Sequence, residues 1–400
     1  MTSRALLLEN IHPGAEETLR TAGFAVERLD RALPEAELAA RLPGVGLLGI
    51  RSNTTVSPAV LAAAPDLLAV GAFCIGTNQV DVAAAADCGV AVFNAPFSNT
   101  RSVVELVLAE IIALTRRLTD KNADMHAGRW DKSATGSHEV RGRRLGIIGY
   151  GNIGSQLSVL AESLGMTVLF YDTADKLALG NARRVSALDE LLAEADVVSL
   201  HVDGRAGNSG LFGEEQFTAM RPGAAFLNLS RGFVVDHASL AAHIRAGHLS
   251  GAAVDVFPQE PKSAGEEFVS DLRGLPNVIL TPHVGGSTEE AQQDIGYFVA
   301  VKLRDFVTEG NTSLSVNLPP VMLARRPGSR RLLLLHANVP GVLAKLNGVL
   351  ADHGVNVEGQ LLGTRGHLGY AVTDVAGDGD PEVEAALRAF PETVRLRVLA

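Results

Sequence analysis

The sequence has few cysteines, few aromatic residues, no excess of positive charge and no long hydrophobic run. Two cysteines, Cys74 and Cys88, are too few for a disulfide framework, so we expect reduced, buried thiols in a cytoplasmic protein. A formal net charge of −10 excludes a general affinity for nucleic acid or anionic membranes. No apolar run approaches about 20 residues, and the N-terminal apolar stretch is too short for a signal peptide, so neither a membrane span nor a leader is expected.

The length and composition predict a soluble protein of two or three domains. Its 400 residues are 46% hydrophobic and 20% charged, which is typical of globular chains with large cores. Residues 1–98 alternate short apolar runs with helical patterns and therefore predict a small α/β domain. The runs that predict strands there are 5–8, 46–50, 68–71 and 90–93, and a long apolar helix is predicted at Thr100–Arg117.

A glycine-rich turn is the most informative motif. The apolar run 145–149 ends in G-x-G-x-x-G, formed by Gly149, Gly151 and Gly154, and a helical pattern follows. The first two glycines allow a tight turn and a close approach of the backbone to a pyrophosphate, and the third lets the helix pack on the strand. The next apolar run ends in Asp172, whose carboxylate would bind ribose hydroxyls and repel a 2′-phosphate. The unit therefore predicts NAD binding and favours NAD over NADP, although an ordinary strand–helix turn is the alternative.

The repeat of strands and helices continues to about residue 282 and predicts a doubly wound parallel sheet. The helix predicted at Ser287–Glu309 is expected to return to the first domain and close it. The strands are predicted at 145–149, 167–171, 196–200, 224–228, 251–255 and 277–281.

Three side chains follow later strands of this sheet, at the edge where ligands of such sheets bind. Arg231 can bind a carboxylate bidentately, Glu260 lies in a loop stiffened by prolines, and His283 lies between proline and glycines. Each has a plain alternative: a surface ion pair, an exposed carboxylate, or an incidental residue of a capping loop. Together they suggest an acid–base pair, in which Glu260 fixes the imidazole tautomer and raises the pKa of His283 above the usual value of about 6.5.

The remainder of the chain predicts a linker and a third domain. The linker, 320–330, is rich in proline, glycine and arginine. Residues 331–400 show a β-α-β-β-α-β order, which indicates a ferredoxin-like module. The histidines His12, His138, His243 and His248 have no metal-ligand spacing, so no metal is expected.

Several segments closely resemble the D-2-hydroxyacid dehydrogenase family, in the form that carries a C-terminal ACT domain. They are Phe73–Asp81, Phe93–Val103 and Thr281–Thr288, and the similarity runs from about residue 5 to 400. The resemblance implies an α/β fold with a Rossmann domain at 99–285, a smaller substrate-binding domain at 1–98 and 286–319, and an ACT regulatory domain at 331–400.

The resemblance also implies an activity, namely NAD-dependent oxidation of 3-phospho-D-glycerate to 3-phosphohydroxypyruvate, the first step of L-serine biosynthesis. Arg231, Glu260 and His283 would be catalytic. Arg51, Ser52 and Asn99, with Arg231, would bind substrate. The positions expected to contact the cofactor are Gly149, Gly151, Asn152, Ile153, Gly154, Asp172, Leu229, Ser230, Arg231, Asp255, His283, Val284, Gly285 and Gly286.

Two positions depart from the family pattern. Relatives often carry a basic residue where this chain has Asn53, which weakens the expected phosphate site. Relatives usually have proline at the position of Asp203, where we expect only a local loop effect. The first departure leaves open another D-2-hydroxy acid, such as 2-hydroxyglutarate. A non-catalytic NADH-sensing protein on the same fold is an alternative of another class.

The C-terminal module carries the loop that relatives use to bind an effector. The resemblance implies that His336, Asn338 and Asn356 bind L-serine between two such domains of a homotetramer. The helix start at Pro340-Gly341 leaves free N–H groups that suit a carboxylate. Relatives often have arginine at the position of Val339, which could alter affinity. The alternative is a purely structural dimerisation domain.

Overall fold

The computed structural model describes residues 4–261, 265–377 and 380–400. The chain forms two compact units, one made of residues 1–98 with 292–400 and the other of residues 99–291. Within the described residues, no helix is both long and apolar enough to span a membrane.

The first unit contains a parallel sheet of five strands in the order β2-β1-β3-β4-β5. Four of these strands were predicted from their apolar runs. The fifth, β2, was missed because it is a short edge strand, Ala25–Arg28, whose residues stay exposed or half-buried. The elements are β1 (Arg4–Leu7), α1 (Pro13–Thr21), β2 (Ala25–Arg28), α2 (Glu35–Arg41), β3 (Val45–Ile50), α3 (Pro58–Ala62), β4 (Ala69–Ala72), α4 (Val82–Asp87) and β5 (Ala91–Asn94).

The second unit is the predicted doubly wound sheet. Its order is β12-β11-β10-β9-β6-β7-β8, and every pairing is parallel. The six predicted strands are present, and a two-residue edge strand is added. The elements are α5 (Thr100–Arg116), α6 (Leu118–His126), β6 (Arg144–Ile148), α7 (Asn152–Ser163), β7 (Thr167–Tyr171), β8 (Arg183–Arg184), α8 (Leu188–Glu194), β9 (Val197–Leu200), α9 (Glu214–Ala219), β10 (Ala225–Asn228), α10 (His237–Arg245), β11 (Gly251–Val254) and β12 (Val278–Leu280).

The long helix α11, Glu289–Glu309, returns to the first unit as predicted. It packs on the first sheet so closely that a Cβ on Gly71 would lie 2.7 Å from Val299 Cγ1. The absence of a side chain at Gly71 therefore lets an aliphatic helix face lie directly on β4.

The C-terminal module is a four-stranded antiparallel sheet in the order β14-β15-β13-β16, which confirms the ferredoxin-like prediction. The two helices and one sheet face share a core that includes Leu334, Leu346, Leu350 and Leu387. The elements are β13 (Arg330–Ala337), α12 (Val342–Asp352), β14 (Val357–Arg365), β15 (Leu368–Val375), α13 (Pro381–Arg388) and β16 (Thr393–Leu399).

Side chains of this module bind the last carbonyl groups of α11. Arg331 is 1% exposed and pairs with Asp374 through contacts of 2.6 and 2.7 Å, while its Nη1 donates to the Glu309 carbonyl at 2.7 Å. Arg397 donates to the carbonyls of residues 306 and 307 at 3.1 and 2.8 Å, and the Tyr370 hydroxyl donates to that of Gly310 at 2.9 Å. The Phe306 carbonyl also accepts the Gly310 amide at 3.0 Å. Because the last carbonyls of a helix lack the full set of intrahelical partners, two guanidinium groups and a phenol complete the C-terminal end of α11.

The expectation of two buried thiols is wrong. Cys88 is exposed and Cys74 is only partly buried. Cys88 ends α4 as its C-cap, where the chain turns toward solvent. Cys74 follows β4 and its Sγ contacts the Gly76 carbonyl at 3.1 Å.

Candidate active site

The glycine turn between β6 and α7 has the shape that the motif predicts. Gly149 has φ +92°, and a Cβ there would lie 2.5 Å from the His201 carbonyl oxygen. A Cβ on Gly154 would lie 2.3 Å from the Gly149 carbonyl oxygen, whereas a Cβ on Gly151 would meet no atom within 4 Å. Two glycines are thus required by packing, and Gly151 borders open space in front of the helix start, where a pyrophosphate fits.

Asp172 fixes this turn as well as ending β7. Its Oδ2 accepts a hydrogen bond from the Tyr150 amide at 2.8 Å, and its Oδ1 accepts one from the Ala174 amide at 2.8 Å. The Tyr150 ring is buried and stacks on Phe170 with 3.8 Å between centroids. The carboxylate is therefore held in one orientation beside the turn and keeps lone pairs for ribose hydroxyls. Open space at Gly151, a helix N-terminus and an acid at the next strand end together fit a dinucleotide.

Asn228 at the end of β10 organises the segment that carries Arg231. Its Oδ1 accepts hydrogen bonds from the Ser230 amide at 3.0 Å and the Ser230 hydroxyl at 2.8 Å, and its Nδ2 donates to the Arg231 carbonyl at 3.1 Å. A Cβ on Gly232 would lie 2.0 Å from the Phe257 carbonyl carbon. The backbones that follow β10 and β11 are thus in contact, which brings Arg231 toward the loop of Glu260.

Glu260 and His283 form a hydrogen-bonded pair. His283 Nδ1 lies 2.9 Å from Glu260 Oε2, while Glu260 Oε1 accepts from the Phe257 amide at 3.1 Å. Since a carboxylate can only accept, Nδ1 carries the proton and Nε2 is left as the proton-accepting atom. The His283 side chain is 50% exposed, so a substrate can reach it.

Charges around the pair favour the expected acid–base behaviour. The hydrogen bond with Glu260 raises the pKa of His283 above its usual value, although partial burial acts in the opposite direction. Burial acts to raise the pKa of Glu260, but the hydrogen bonds from His283 and from the Phe257 amide outweigh it and leave the pKa below its usual value. The positive charge of Arg231 reaches both groups and lowers both pKa values. The three predicted catalytic residues therefore lie within electrostatic range of one another.

Asp255 holds in place the loop that carries His283, residues 281–285, which we call the histidine loop. Its Oδ1 accepts from the Val284 amide at 2.8 Å and the Thr281 hydroxyl at 2.6 Å, and its Oδ2 accepts from the Gly285 amide at 2.8 Å. His283 itself has φ +55°, a left-handed conformation that a non-glycine residue adopts at a cost. Asp255 is 2% exposed, so its carboxylate acts mainly on this loop.

The other predicted cofactor positions surround these groups. Leu229 and Ser230 are buried, Ile153 is half-buried in the core of this unit, and Asn152 is exposed at the start of α7. A Cβ on Gly286 would lie 2.2 Å from Asn99 Nδ2, so the predicted substrate residue Asn99 directly adjoins the histidine loop.

The first unit holds Arg51 and Ser52 in the loop after β3. The Arg51 amide donates to Glu9 at 3.1 Å, and its carbonyl accepts from Gln79 Nε2 at 2.6 Å. Within the part of the chain that the structure describes, no hydrogen bond or ion pair is made by the Arg51 guanidinium, and Ser52 and Asn53 are exposed. The loop therefore offers one cation and one hydroxyl to a ligand.

The loop after β9 carries the second departure from the family pattern. Asp203 forms a bidentate pair with Arg205 through two contacts of 2.7 Å. A Cβ on Gly204 would lie 3.3 Å from Arg231 Nε, so this loop packs beside the proposed substrate arginine. His201 is half-buried with its Nε2 2.9 Å from the Ser199 hydroxyl, and desolvation of the ring lowers its pKa to about 4, which keeps it neutral.

The predicted effector residues lie at both ends of the C-terminal sheet. His336 is 3% exposed and packs on Gly369, whereas Asn338 is exposed and donates to the Gly366 carbonyl at 3.2 Å, near the start of β15. Asn356 precedes Val357, which pairs with the last residue of β15. Asn338 pairs with His367 and Asn356 with Ala376, at the two ends of β15, so the two asparagines of one chain are about 30 Å apart along this strand.

No metal centre is visible among residues 4–261, 265–377 and 380–400, where no three His, Cys, Asp or Glu side chains are grouped to hold an ion. Sequence reasoning missed the roles of Glu9 and Asn228, which support Arg51 and Arg231. The role of Asn228 could have been considered, because this asparagine is the last residue of the predicted strand 224–228. Glu9 belongs to no motif that would have pointed to its role.

Comparison with known proteins decides the family. Residues 108–285 match the family described as D-isomer specific 2-hydroxyacid dehydrogenase, NAD binding domain. The chain is 50% identical over 395 residues to the D-3-phosphoglycerate dehydrogenase of Haemophilus influenzae, with 98% of this chain and 96% of the relative covered. The chain belongs to the D-isomer specific 2-hydroxyacid dehydrogenase family.

A further relative and two solved structures are also similar to this chain over most of their length. The D-3-phosphoglycerate dehydrogenase of Escherichia coli (strain K12) is 48% identical over 397 residues, covering 98% of this chain and 97% of the relative. Among solved structures, the TT0316 protein from Thermus thermophilus matches with a TM-score of 0.70 and 30% identity, covering 80% of this chain and all of the other (100%). D-lactate dehydrogenase from Aquifex aeolicus, complexed with NAD and lactic acid, matches with a TM-score of 0.65 and 26% identity over 76% of this chain and 95% of the other.

Residues 332–395 match an AHAS small subunit-like ACT domain. Membership of the D-isomer specific 2-hydroxyacid dehydrogenases thus confirms the predicted Rossmann fold, the ACT domain, NAD as cofactor and the nature of the protein as a dehydrogenase.

Proposed function

We propose that the protein oxidises 3-phospho-D-glycerate to 3-phosphohydroxypyruvate with NAD, the first step of L-serine biosynthesis. The observation that carries the reaction type is the 2.9 Å contact of His283 Nδ1 with Glu260 beside a loop that presents Arg231. The choice of substrate is supported by relatives about half identical in sequence, which are named D-3-phosphoglycerate dehydrogenases.

Each catalytic side chain has a task that follows from its chemistry. Arg231 binds the substrate carboxylate, because its guanidinium offers paired donors. His283 Nε2 accepts the proton of the C2 hydroxyl, and the negative charge of Glu260 stabilises the imidazolium that results. The glycine turn at 149–154 and Asp172 would hold NAD, which would supply the hydride acceptor for C2. Asp255 keeps the histidine loop in place through the contacts of 2.8, 2.8 and 2.6 Å described above.

The residues proposed for the rest of the substrate are Arg51, Ser52 and Asn99. Arg51 supplies the cation that a phosphate requires, and Ser52 supplies a hydroxyl donor. The cofactor positions expected from the sequence, with Asp172 as the ribose acid, are proposed on the same basis. We propose the substrate-binding domain as 1–98 with 286–319, the Rossmann domain as 99–285, the linker as 320–330 and the ACT domain as 331–400.

A second candidate substrate is another D-2-hydroxy acid, such as 2-hydroxyglutarate. It is favoured by exposed Asn53, which adds no second cation beside Arg51. Competition between the two substrates at equal concentration distinguishes the candidates, because 3-phosphoglycerate should dominate the rate if Arg51 serves a phosphate.

We also propose that L-serine regulates a homotetramer through the ACT domains. A site that uses His336 and Asn338 with Asn356 needs two copies of the chain, since the asparagines of one chain stand at opposite ends of the sheet. The cytoplasmic location stays a prediction, to be checked by cell fractionation.

An initial-rate assay with purified protein tests the proposal. NADH should form on addition of 3-phosphoglycerate and NAD, and L-serine should lower the rate. Tetramer formation is measured by light scattering on the same sample. If no NADH forms from 3-phosphoglycerate but the protein oxidises 2-hydroxyglutarate, the second candidate substrate is the correct one.

A further inference from the structure

Three backbone amides of the loop after β3 converge on the carboxylate of Glu9. The amides of Arg51 and Thr54 donate to Oε1 at 3.1 and 2.9 Å, and that of Asn53 donates to Oε2 at 2.9 Å. Glu9 lies just beyond β1, the strand that pairs with β3, and is only 7% exposed. A turn whose N–H groups point at one centre is a binding shape for an anion, and here the chain supplies that anion itself.

The opposite side of the same loop is fixed by Gln79. Its Nε2 donates to the Arg51 carbonyl at 2.6 Å. Both backbone polar groups of Arg51 are thus bound by side chains from other segments, while its guanidinium has no partner among the described residues. The backbone is held and the charged end is left for a ligand.

Glu9 is kept in this position at a conformational cost. Glu9 and Asn10 have φ +60° and +52°, two consecutive non-glycine residues in the left-handed region. Such conformations are unfavourable for residues other than glycine and persist where the surrounding structure requires them. The buried carboxylate and its three amide contacts supply that requirement.

We propose that Glu9 is a positioning residue for recognition of the substrate's anionic group. Its carboxylate occupies the inward amides of the 51–54 loop, so that an incoming phosphate cannot use them and must be bound by the outward groups, Arg51 and Ser52. The proposal rests on the proposed function, in which Arg51 binds the phosphate. It adds a residue that acts through Arg51 without touching substrate.

The alternative is that Glu9 serves only to stabilise the fold. A general structural defect would lower stability and would affect the Michaelis constants for substrate and cofactor alike. A positioning role affects only the substrate, because the loop lies in the first unit, apart in sequence from the glycine turn at 149–154.

The test uses the full-length enzyme with Glu9→Gln and Glu9→Asp. The first removes the charge and one acceptor, and the second keeps the charge but shortens the reach by one methylene. In both we expect the KM for 3-phosphoglycerate to rise, by about tenfold for Glu9→Gln, which corresponds to loss of one charge-assisted hydrogen bond. The KM for NAD should stay within about twofold, a change of under 0.5 kcal/mol. Glu17→Gln is the matched control, since Glu17 is an exposed residue of α1 and its change of charge is the same.

A second measurement shows whether Glu9 acts through Arg51. In an Arg51→Ala background, Glu9→Gln should raise the KM little further, because the group that it positions is gone. Full additivity of the two effects overturns the proposal. So does an unchanged KM for 3-phosphoglycerate in either folded variant, or an equal rise in both Michaelis constants. If Glu9→Gln does not fold, the same comparisons are made with Glu9→Asp. Failure of wild-type enzyme to use 3-phosphoglycerate would instead refute the proposed function, so the two failures are distinct.

Discussion

One buried carboxylate predicts a pH dependence of stability that a single substitution removes. Glu110 lies in α5, is 3% exposed, and has no hydrogen-bond partner for either carboxylate oxygen among the described residues. Burial raises its pKa from 4.5 to about 8, and the negative charge of Asp255 adds to the effect. At neutral pH the folded protein therefore holds a protonated Glu110.

The effect on stability has a definite sign. From 4.5 up to about 8, the folded state binds a proton at Glu110 that the unfolded chain has released. The stabilisation is complete below the lower of these values and is lost as the pH rises through the upper one. The slope is about 1.4 kcal/mol per pH unit, so the free energy of unfolding falls by about 2.7 kcal/mol between about pH 5.5 and about pH 7.5 through this group alone.

Glu110→Gln keeps the shape and removes the titration. We would measure urea unfolding of wild-type and variant protein at several pH values across this interval. Other titrating groups contribute equally to both curves, so the difference isolates Glu110. That difference should move by about 2.7 kcal/mol in favour of the variant as the pH rises over the interval. Glu105→Gln, at a position of the same helix that is 60% exposed, should show no such trend. Parallel curves for wild type and Glu110→Gln would refute the reasoning.

Four further predictions concern catalysis and regulation. His283→Ala should lower NADH formation about 100- to 10,000-fold, the range for loss of a general base, while NADH binding measured by fluorescence persists; full activity would contradict the mechanism. Glu260→Gln should move the acidic limb of the pH profile of kcat/KM to lower pH, because the partner that raises the pKa of His283 is neutralised; an unmoved limb would remove Glu260 from this role. Asp172→Ala should reduce the preference for NAD over NADP, measured as the ratio of kcat/KM values, and an unchanged ratio would end its assignment as the ribose acid. Asn338→Ala and Asn356→Ala should each abolish serine inhibition, whereas mixed assemblies of the two should regain part of it, and assemblies without any recovery would argue against a site shared between chains.

The fold was largely predictable because its main signals are local. The strands of the Rossmann sheet are apolar runs buried on both faces, such as Ala225–Asn228, and the glycine turn at 149–154 marks one of their ends. The strands missed, Ala25–Arg28 and Arg183–Arg184, are short edge strands whose residues stay at least partly exposed. These strands form because they pair with a neighbouring strand, and their own sequences have no periodic pattern that would predict them.

The catalytic residues of the candidate site could be predicted from the sequence, whereas the contacts that support them could not. Arg231, Glu260 and His283 could be predicted because each follows a strand of a parallel sheet, and such strands end at a common edge. The supporting contacts could not be predicted, since they join distant positions: Glu9 reaches residues more than 40 positions away, with sequence separations of 42, 44 and 45. Cys88 was expected to be buried from the general tendency of thiols, but its place at a helix end overrides that tendency.

The capping of α11 by the C-terminal module bears on how such proteins can be recombined. Arg331, Arg397 and Tyr370 satisfy the carbonyls of residues 306, 307, 309 and 310. A chimera that exchanged this module for a foreign one would remove these side-chain donors unless the new module brought equivalents, and the Phe306 carbonyl would keep only the Gly310 amide. A transplanted module must therefore bring donors that reach the end of α11, a task that three side chains perform in this chain.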